Sequence, residues 1–221
     1  QRAGVGPSFE GRHIDVLREK AEDDPEDARH WIWLASAYLS AKKIADAELV
    51  LGKAEKLQAD HPDLAAVKAL MQLNEGLKEK SIASLRQAIE GDSIWSWRCR
   101  LLLADQLRKR GETEEPLKLL TEATSQAPTA TGSPVSSGSP WAQLATLQKD
   151  LDMEDAAIQS LQSQVLYNRD DAPTRLLLAK TLSKREDWSG VVEAAWDLPY
   201  ISPYGDEGHA LLSRAFLELQ D

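Results

Sequence analysis

Small and apolar side chains recur along this chain at the three- and four-residue spacing of amphipathic helices. Between positions 28 and 54 they form two groups separated by a short break, which predicts a pair of helices. The positions are Trp31, Leu34, Ala35, Tyr38, Ala47, Leu51 and Ala54. The same pair of groups returns with a period near 34 residues, which indicates a repeat architecture.

The copies start at positions 28, 62, 97, 138 and 172, and a last single helix starts at 206. The one long spacing is explained by residues 129–140, a Ser/Gly/Pro/Thr tract that cannot form a packed helix. The copy from 62 is the weakest, because Lys68 and Gln72 occupy positions that are apolar in most other copies. We expect this copy to be the least stable.

One position in each copy holds a small residue. Two antiparallel helices approach closely only where a small side chain meets a large one, so these positions predict helix crossings. They are Ala35, Ala69, Ala104, Ala145, Ala179 and, in the last copy, Ser213. Ser139-Pro140 and Asp171 predict helix starts, since both supply a capping side chain.

The series from Trp31 to Ala54, repeated at this period, resembles the tetratricopeptide repeat (TPR) family. The resemblance covers nearly the whole chain. It implies an all-α fold, an α-α superhelix or TPR solenoid of about five helix-pair repeats with a half-repeat helix at each end.

The predicted domain organisation follows from the repeat positions. An N-terminal segment, 1–27, holds the second helix of a preceding half-repeat, and repeats 1–3 occupy 28–128. The inter-repeat loop covers 129–140 and repeats 4 and 5 cover 141–205. Residues 206–221 form a capping helix or the first helix of a truncated repeat, so both ends look cut from a longer chain or capped.

The resemblance also implies that the first helix of each pair lines a concave groove. The groove positions carry eight basic and five acidic residues, an excess of positive charge in a chain of net charge −10. The predicted partner-binding residues are Arg29, Asn74, Arg98, Arg108, Lys109, Lys149, Lys180, Lys184 and Arg214. Apolar steps between them are expected at Ile32, Leu39, Leu70 and Leu101.

A basic groove with apolar steps suits an acidic or amphipathic peptide, or a partner helix. The alternative is that these cations are ordinary solvated side chains. A chaperone-tail adaptor is not expected, since the positions of its carboxylate clamp hold Ile32, Ser36, Val67, Arg98 and Leu102, of which only Arg98 fits.

Composition narrows the remaining functions. The 36 acidic against 26 basic residues disfavour nucleic acid, and no apolar run approaches the length that spans a membrane. The single cysteine, Cys99, excludes an intrachain disulfide and a multi-cysteine zinc site, and it is compatible with cytoplasm or periplasm alike.

No catalytic or cofactor signature is present, and the four histidines are scattered without helical pairing. We therefore expect no catalytic residue, no metal and no cofactor, with Cys99 an inert, partly buried thiol. The tryptophans at 95, 97, 188 and 196 are expected to pack in the core, with partner recognition as the alternative.

These observations predict a non-catalytic protein-interaction scaffold. A second reading is the TPR interaction region of a larger bacterial enzyme, such as a hydrolase or peptidase, whose catalytic domain lies outside this chain. The protein is expected to be a monomer or to self-associate weakly through its terminal helices.

Overall fold

The computed structural model describes residues 9–130, 139–203 and 205–220. Within these residues all regular structure is helical, with twelve helices of eight or more residues and one single turn. The predicted all-α, helix-pair fold is thereby confirmed. The elements are α1 (Phe9–Asp23), α2 (Ala28–Ser40), α3 (Ile44–Leu57), α4 (Pro62–Asn74), α5 (Lys78–Glu90), α6 (Ser96–Arg108), α7 (Glu114–Gln126), α8 (Pro140–Asp150), α9 (Glu154–Tyr167), α10 (Ala172–Lys184), α11 (Trp188–Ala195), α12 (Leu198–Ile201) and α13 (Asp206–Glu218).

The chain divides into two compact units, residues 1–111 and 112–221. In the first unit α1 packs on α2, and α2–α3 and α4–α5 are helix pairs. Its core includes Ile32 and Leu34 of α2, Leu51 of α3 and Val67 of α4, because each of these helices presents an apolar face to its neighbours.

In the second unit α8–α9 and α10–α11 are helix pairs, with α7 against α8 and α13 against α11. Its core gathers Leu161 of α9, Leu178 and Leu182 of α10, and Leu212 of α13. A single pair cannot bury its apolar faces alone, so each pair is stabilised by the next.

Five of the six predicted small positions are buried, as expected for helix crossings. Ala35, Ala69, Ala104 and Ala179 have no exposed surface, and Ala145 is 4% exposed. Ser213 differs, because it lies on a face of α13 that no described helix covers, and it is exposed. The small residue there makes no helix crossing.

The weak copy satisfies its polar residues by pairing them. Lys68 of α4 reaches Glu55 of α3 at 2.6 Å, and Gln72 accepts a 2.9 Å hydrogen bond from Ser84 of α5. Polar side chains at half-buried positions cost little when each finds a partner. Hydrogen bonds therefore replace part of the apolar contact of the other pairs.

Two helix starts have the capping predicted from sequence. Ser139 accepts a hydrogen bond from the backbone N–H of Ala142 at 3.1 Å, and Asp171 accepts one from Thr174 at 3.0 Å. These bonds satisfy amides that the first helical turn leaves without a partner. Residues 131–138 of the predicted inter-repeat loop and residues 1–8 of the predicted N-terminal segment lie outside the described residues.

Tryptophan side chains tie two first helices to the chain that precedes them. The indole N–H of Trp31 donates to the carbonyl of Pro25 at 2.9 Å, and that of Trp141 donates to the carbonyl of Pro128 at 3.1 Å. Both tryptophans hold the same position in their copies, as do both prolines. The bond thus recurs as a structural element of the repeat.

None of the helices in the described ranges combines the length and apolar composition that crossing a bilayer requires.

Candidate functional site

In the first unit, α2, α4 and α6 with its C-terminal cap carry five of the predicted binding residues. Arg29, Asn74 and Lys109 are exposed, while Arg98 and Arg108 are half-buried. All five are thus at least partly accessible. Their surroundings decide how much charge they offer to a partner.

Arg29 is engaged within its own helix start. Its guanidinium pairs with the carboxylate of Asp27 at 2.6 Å, and Asp27 also accepts the Arg29 backbone N–H at 2.9 Å. Hydrogen bonds from the Arg29 side chain lower the pKa of Asp27 to about 2. Arg29 and Asp27 together form the N-terminal cap of α2 and present little net charge.

Lys109 and Arg98 differ in whether a neighbouring carboxylate neutralises their charge. Lys109 pairs with Asp105 one turn earlier on α6, at 2.6 Å. Arg98 has no carboxylate partner among the described residues, and its guanidinium lies 5.7 Å from the centre of the Trp97 ring. Arg98 is therefore a cation that no carboxylate of the described residues neutralises.

The apolar steps expected in the groove are mostly core residues. Ile32, Leu39 and Leu101 are only 0%, 8% and 2% exposed, and Leu70 is half-buried. The expectation that they present apolar surface to a partner is wrong for the three buried residues, because neighbouring helices cover them. Only Leu70 retains partial access to solvent.

Asp63, counted among the acidic groove positions, is also buried. Its carboxylate accepts hydrogen bonds from the Ser93 hydroxyl at 2.5 Å and from the Ile94 backbone N–H at 3.0 Å. These bonds fix the turn that leads into α6. Asp63 therefore belongs to the scaffold and is not accessible to a partner.

An open cavity of about 420 Å³ in the first unit is lined by residues of α1 and α2 and by Trp95. We call it the Trp33 cavity; its lining residues are His13, Ile14, Leu17, Trp33, Ser36, Ala37, Ser40, Ala41 and Trp95. Trp33 is not among the binding residues predicted from the sequence, and Trp95 was expected to pack in the core. Trp95 does pack partly against the core, and it also forms a wall of the cavity.

Trp33 could have been noticed from spacing alone. It stands two residues from Trp31, and residues two apart on a helix do not share a face. Trp31 is buried, so Trp33 points elsewhere and is half-exposed, with its ring edge-on to His30 at 5.9 Å. The closeness of Trp95 could not have been found in this way, because it depends on tertiary packing.

In the second unit the predicted cations again fall into two groups. Lys180 pairs with Glu207 at 2.7 Å, and Arg214 lies 3.5 Å from Glu218 and 4.9 Å from the Trp188 ring. Lys149 and Lys184 are exposed and have no carboxylate partner within the described part of the chain. Of the four predicted cations in this unit, these two lysines are the ones that no described carboxylate pairs with.

Two further cavities lie in the second unit. One of about 500 Å³ is bounded by α10, α12 and α13, with Pro173, Leu176 and Leu198 in its lining. The other, about 570 Å³, lies between α9, α10 and α11. It contains the buried guanidinium of Arg175, held by Asp197 at 2.9 Å and by the carbonyls of Arg169 and Ala194. Arg175 is fully engaged, so its charge serves the fold.

Cys99 is 2% exposed, and burial, together with the negative charge of Asp63, raises the pKa of its thiol to about 12. Cys99 is thus more deeply buried than the partly buried thiol expected from the sequence. Ligand atoms of Asp24, Asp27 and His30 lie within 4.8 Å of one another, but the Asp27 carboxylate already binds Arg29.

No protein-family model matches the chain, and no curated protein matches it in sequence. Solved structures do match its fold. PilW, described as a widely conserved type IV pilus biogenesis factor, aligns with a TM-score of 0.65 at 14% identity, over 92% of this chain and 90% of that one. YrrB, a TPR protein with an unusual peptide-binding site, aligns with a TM-score of 0.59 at 16% identity, over 89% and 98%.

PilF of Pseudomonas aeruginosa aligns with a TM-score of 0.59 at 15% identity, over 91% of this chain and 99% of its own. Likeness at this level of identity defines a fold and leaves function open. The chain has the helix-pair fold of the tetratricopeptide repeat proteins, as the sequence pattern predicted.

Proposed function

We propose that this protein is a non-catalytic interaction module that binds a peptide or partner helix on the first-helix faces of its repeats. The proposed contacts remain the nine predicted residues, with Arg98, Lys149 and Lys184 dominant. The observation that carries the proposal is that these three accessible cations have no carboxylate partner among the described residues. The peptide-binding site named for YrrB, a protein of similar fold, supports the same role.

The ion-paired cations contribute less to recognition. An exposed ion pair is worth about 0–1 kcal/mol, and its charge is already balanced for an approaching ligand. A partner carboxylate that meets an unpaired cation instead forms a charge-assisted hydrogen bond, and the excess positive charge speeds its approach. An acidic or amphipathic segment is therefore the preferred ligand.

Charge reversal tests the proposal. A random 12-residue peptide library displayed on phage is selected against the protein, and the enriched peptides are titrated by fluorescence anisotropy. A hydrogen bond to a charged group contributes about 1.5–3 kcal/mol, so Arg98→Glu or Lys149→Glu with Lys184→Glu should weaken binding roughly tenfold or more.

Lys80→Glu is the matched control for Arg98→Glu, since Lys80 is exposed on the second helix of a pair and both single variants change net charge equally. Equal affinities for all variants, with an unchanged salt dependence, would remove the first-helix faces from the proposal. The alternative in which these repeats belong to a larger enzyme leaves the same binding role for this chain.

A further inference from the structure

We infer that the Trp33 cavity receives one bulky apolar side chain, aromatic or leucine-like, from an acidic peptide segment. The inference rests on the proposed function and names the anchor that would fix the peptide on the first unit. It adds a site that the repeat pattern does not indicate, since α1 is a second helix and Trp95 precedes α6.

The lining of the cavity suits an apolar side chain. Trp33 and Trp95 supply aromatic surface, and Ile14 and Leu17 of α1 supply aliphatic surface. Ligand sites in proteins are mostly apolar and aromatic with a few polar groups, and span about 300–1,000 Å³. At about 420 Å³ the Trp33 cavity has room for a side chain and adjoining backbone.

The polar groups of the cavity are few and lie among small residues. The Ser40 hydroxyl donates to the Ser36 carbonyl at 3.0 Å, so its proton is used within α2. His13 is exposed on α1 and can donate to a peptide carbonyl. These groups orient a peptide backbone and do not oppose burial of an apolar side chain.

Charge at the cavity favours an acidic partner. No carboxylate is among the lining residues. Arg98 follows Trp95 by one helical turn, and Lys20 follows Leu17 by one turn on α1, which places each cation on the same face as a lining residue. Neither has a carboxylate partner among the described residues, so aspartate or glutamate beside the anchoring side chain would complement them.

The experiment fills the cavity and leaves its surroundings intact. Peptides selected from the random 12-residue library are titrated against the wild-type chain, Ala37→Phe and Ser40→Phe. Ala45→Phe is the control, because Ala45 is exposed on α3 outside the cavity. Two filling variants are used so that, if circular dichroism shows that one is misfolded, the other still tests the cavity.

We expect selected sequences with one Trp, Phe or Leu within three residues of an acidic residue. Both filling variants should weaken their binding about tenfold or more, and Ala45→Phe should leave it unchanged. If filling has no effect while Arg98→Glu weakens binding, the cavity inference fails and the proposed function stands. If neither change weakens binding, both fail.

A second copy of the chain is the competing occupant. Light scattering that shows a concentration-dependent dimer, dissociated by Ala37→Phe, would overturn the peptide inference in favour of self-association. A monomer at all concentrations, with the expected peptide results, supports the inference as stated.

Discussion

The side-chain oxygen of Gln148 accepts a 2.7 Å hydrogen bond from the hydroxyl of Ser160, joining the first and second helices of one pair. Gln72 and Ser84 make the same bond at the same two positions of another pair. Tyr38 holds the glutamine position in the first copy and is buried. At this position of the repeat, a polar link in two copies takes the place of the buried apolar side chains Tyr38, Leu107 and Leu182 in the others.

This link gives a test of stability. Ser160→Ala should leave the buried oxygen of Gln148 without a donor and cost about 1–3 kcal/mol of unfolding free energy. Adding Gln148→Leu removes the orphaned group and should recover much of the loss. Urea denaturation of the single and double variants measures both effects, and a double variant no more stable than the single one would contradict the account.

Close helix crossings should not tolerate larger side chains. Ala179→Leu places three further carbons at a position with no exposed surface and should cost roughly 1–3 kcal/mol. Ser213→Leu is the comparison, because that position is exposed and the change should fall within about 0.5 kcal/mol of wild type. Thermal melts distinguish the two, and equal melting temperatures would show that Ala179 is not a packing contact.

The cap of α2 should make stability fall at low pH. The pKa of Asp27 is lowered in the folded protein to about 2 from an ordinary value of 3.8, so the unfolded chain takes up the proton first as pH falls. The contribution of this ion pair is complete above pH 4 and is lost between about pH 4 and pH 2.

Asp27→Asn keeps a capping oxygen and loses the charge. We therefore expect the variant to be less stable than wild type at pH 7, and the difference to shrink as pH approaches 2. Urea denaturation across this range checks the prediction, and added salt should reduce the difference because the Arg29 side chain is exposed. A difference that is constant with pH would show that the pair does not contribute.

Cys99 should resist thiol reagents while the protein is folded. Burial holds its pKa near 12, so the thiolate that attacks such reagents is scarce at pH 8, and the side chain is out of reach as well. Reaction with a chromogenic disulfide should be slow in buffer and complete in urea. Rapid reaction in buffer would mean that α6 opens readily or that the thiol is accessible.

Much of the fold followed from sequence because the repeat depends on local spacing and small side chains. Ala35 and Ala179 are buried as their positions predict, and Ser139 and Asp171 cap helices. These features need only neighbouring residues along the chain. The stacking of helix pairs then follows, because each pair contacts only its neighbours along the chain.

The candidate site was less accessible to such reasoning. Asp63 is drawn into the core by Ser93, thirty residues later, and Lys180 is neutralised by Glu207, twenty-seven residues later. Trp33 and Trp95 line the same cavity although three helices, α3 to α5, lie between them along the chain. Contacts of this range depend on how pairs stack, and a position in the repeat does not reveal them.

The bond from Trp141 to Pro128 fastens the base of the segment between them. This hydrogen bond holds the start of α8 against Pro128. Residues inserted between Pro128 and Trp141 should therefore cost only the closure entropy of a longer loop, about 0.6 kcal/mol for each doubling in length. The chain between Pro128 and Trp141 is thus a suitable place to insert an epitope or a fluorescent reporter.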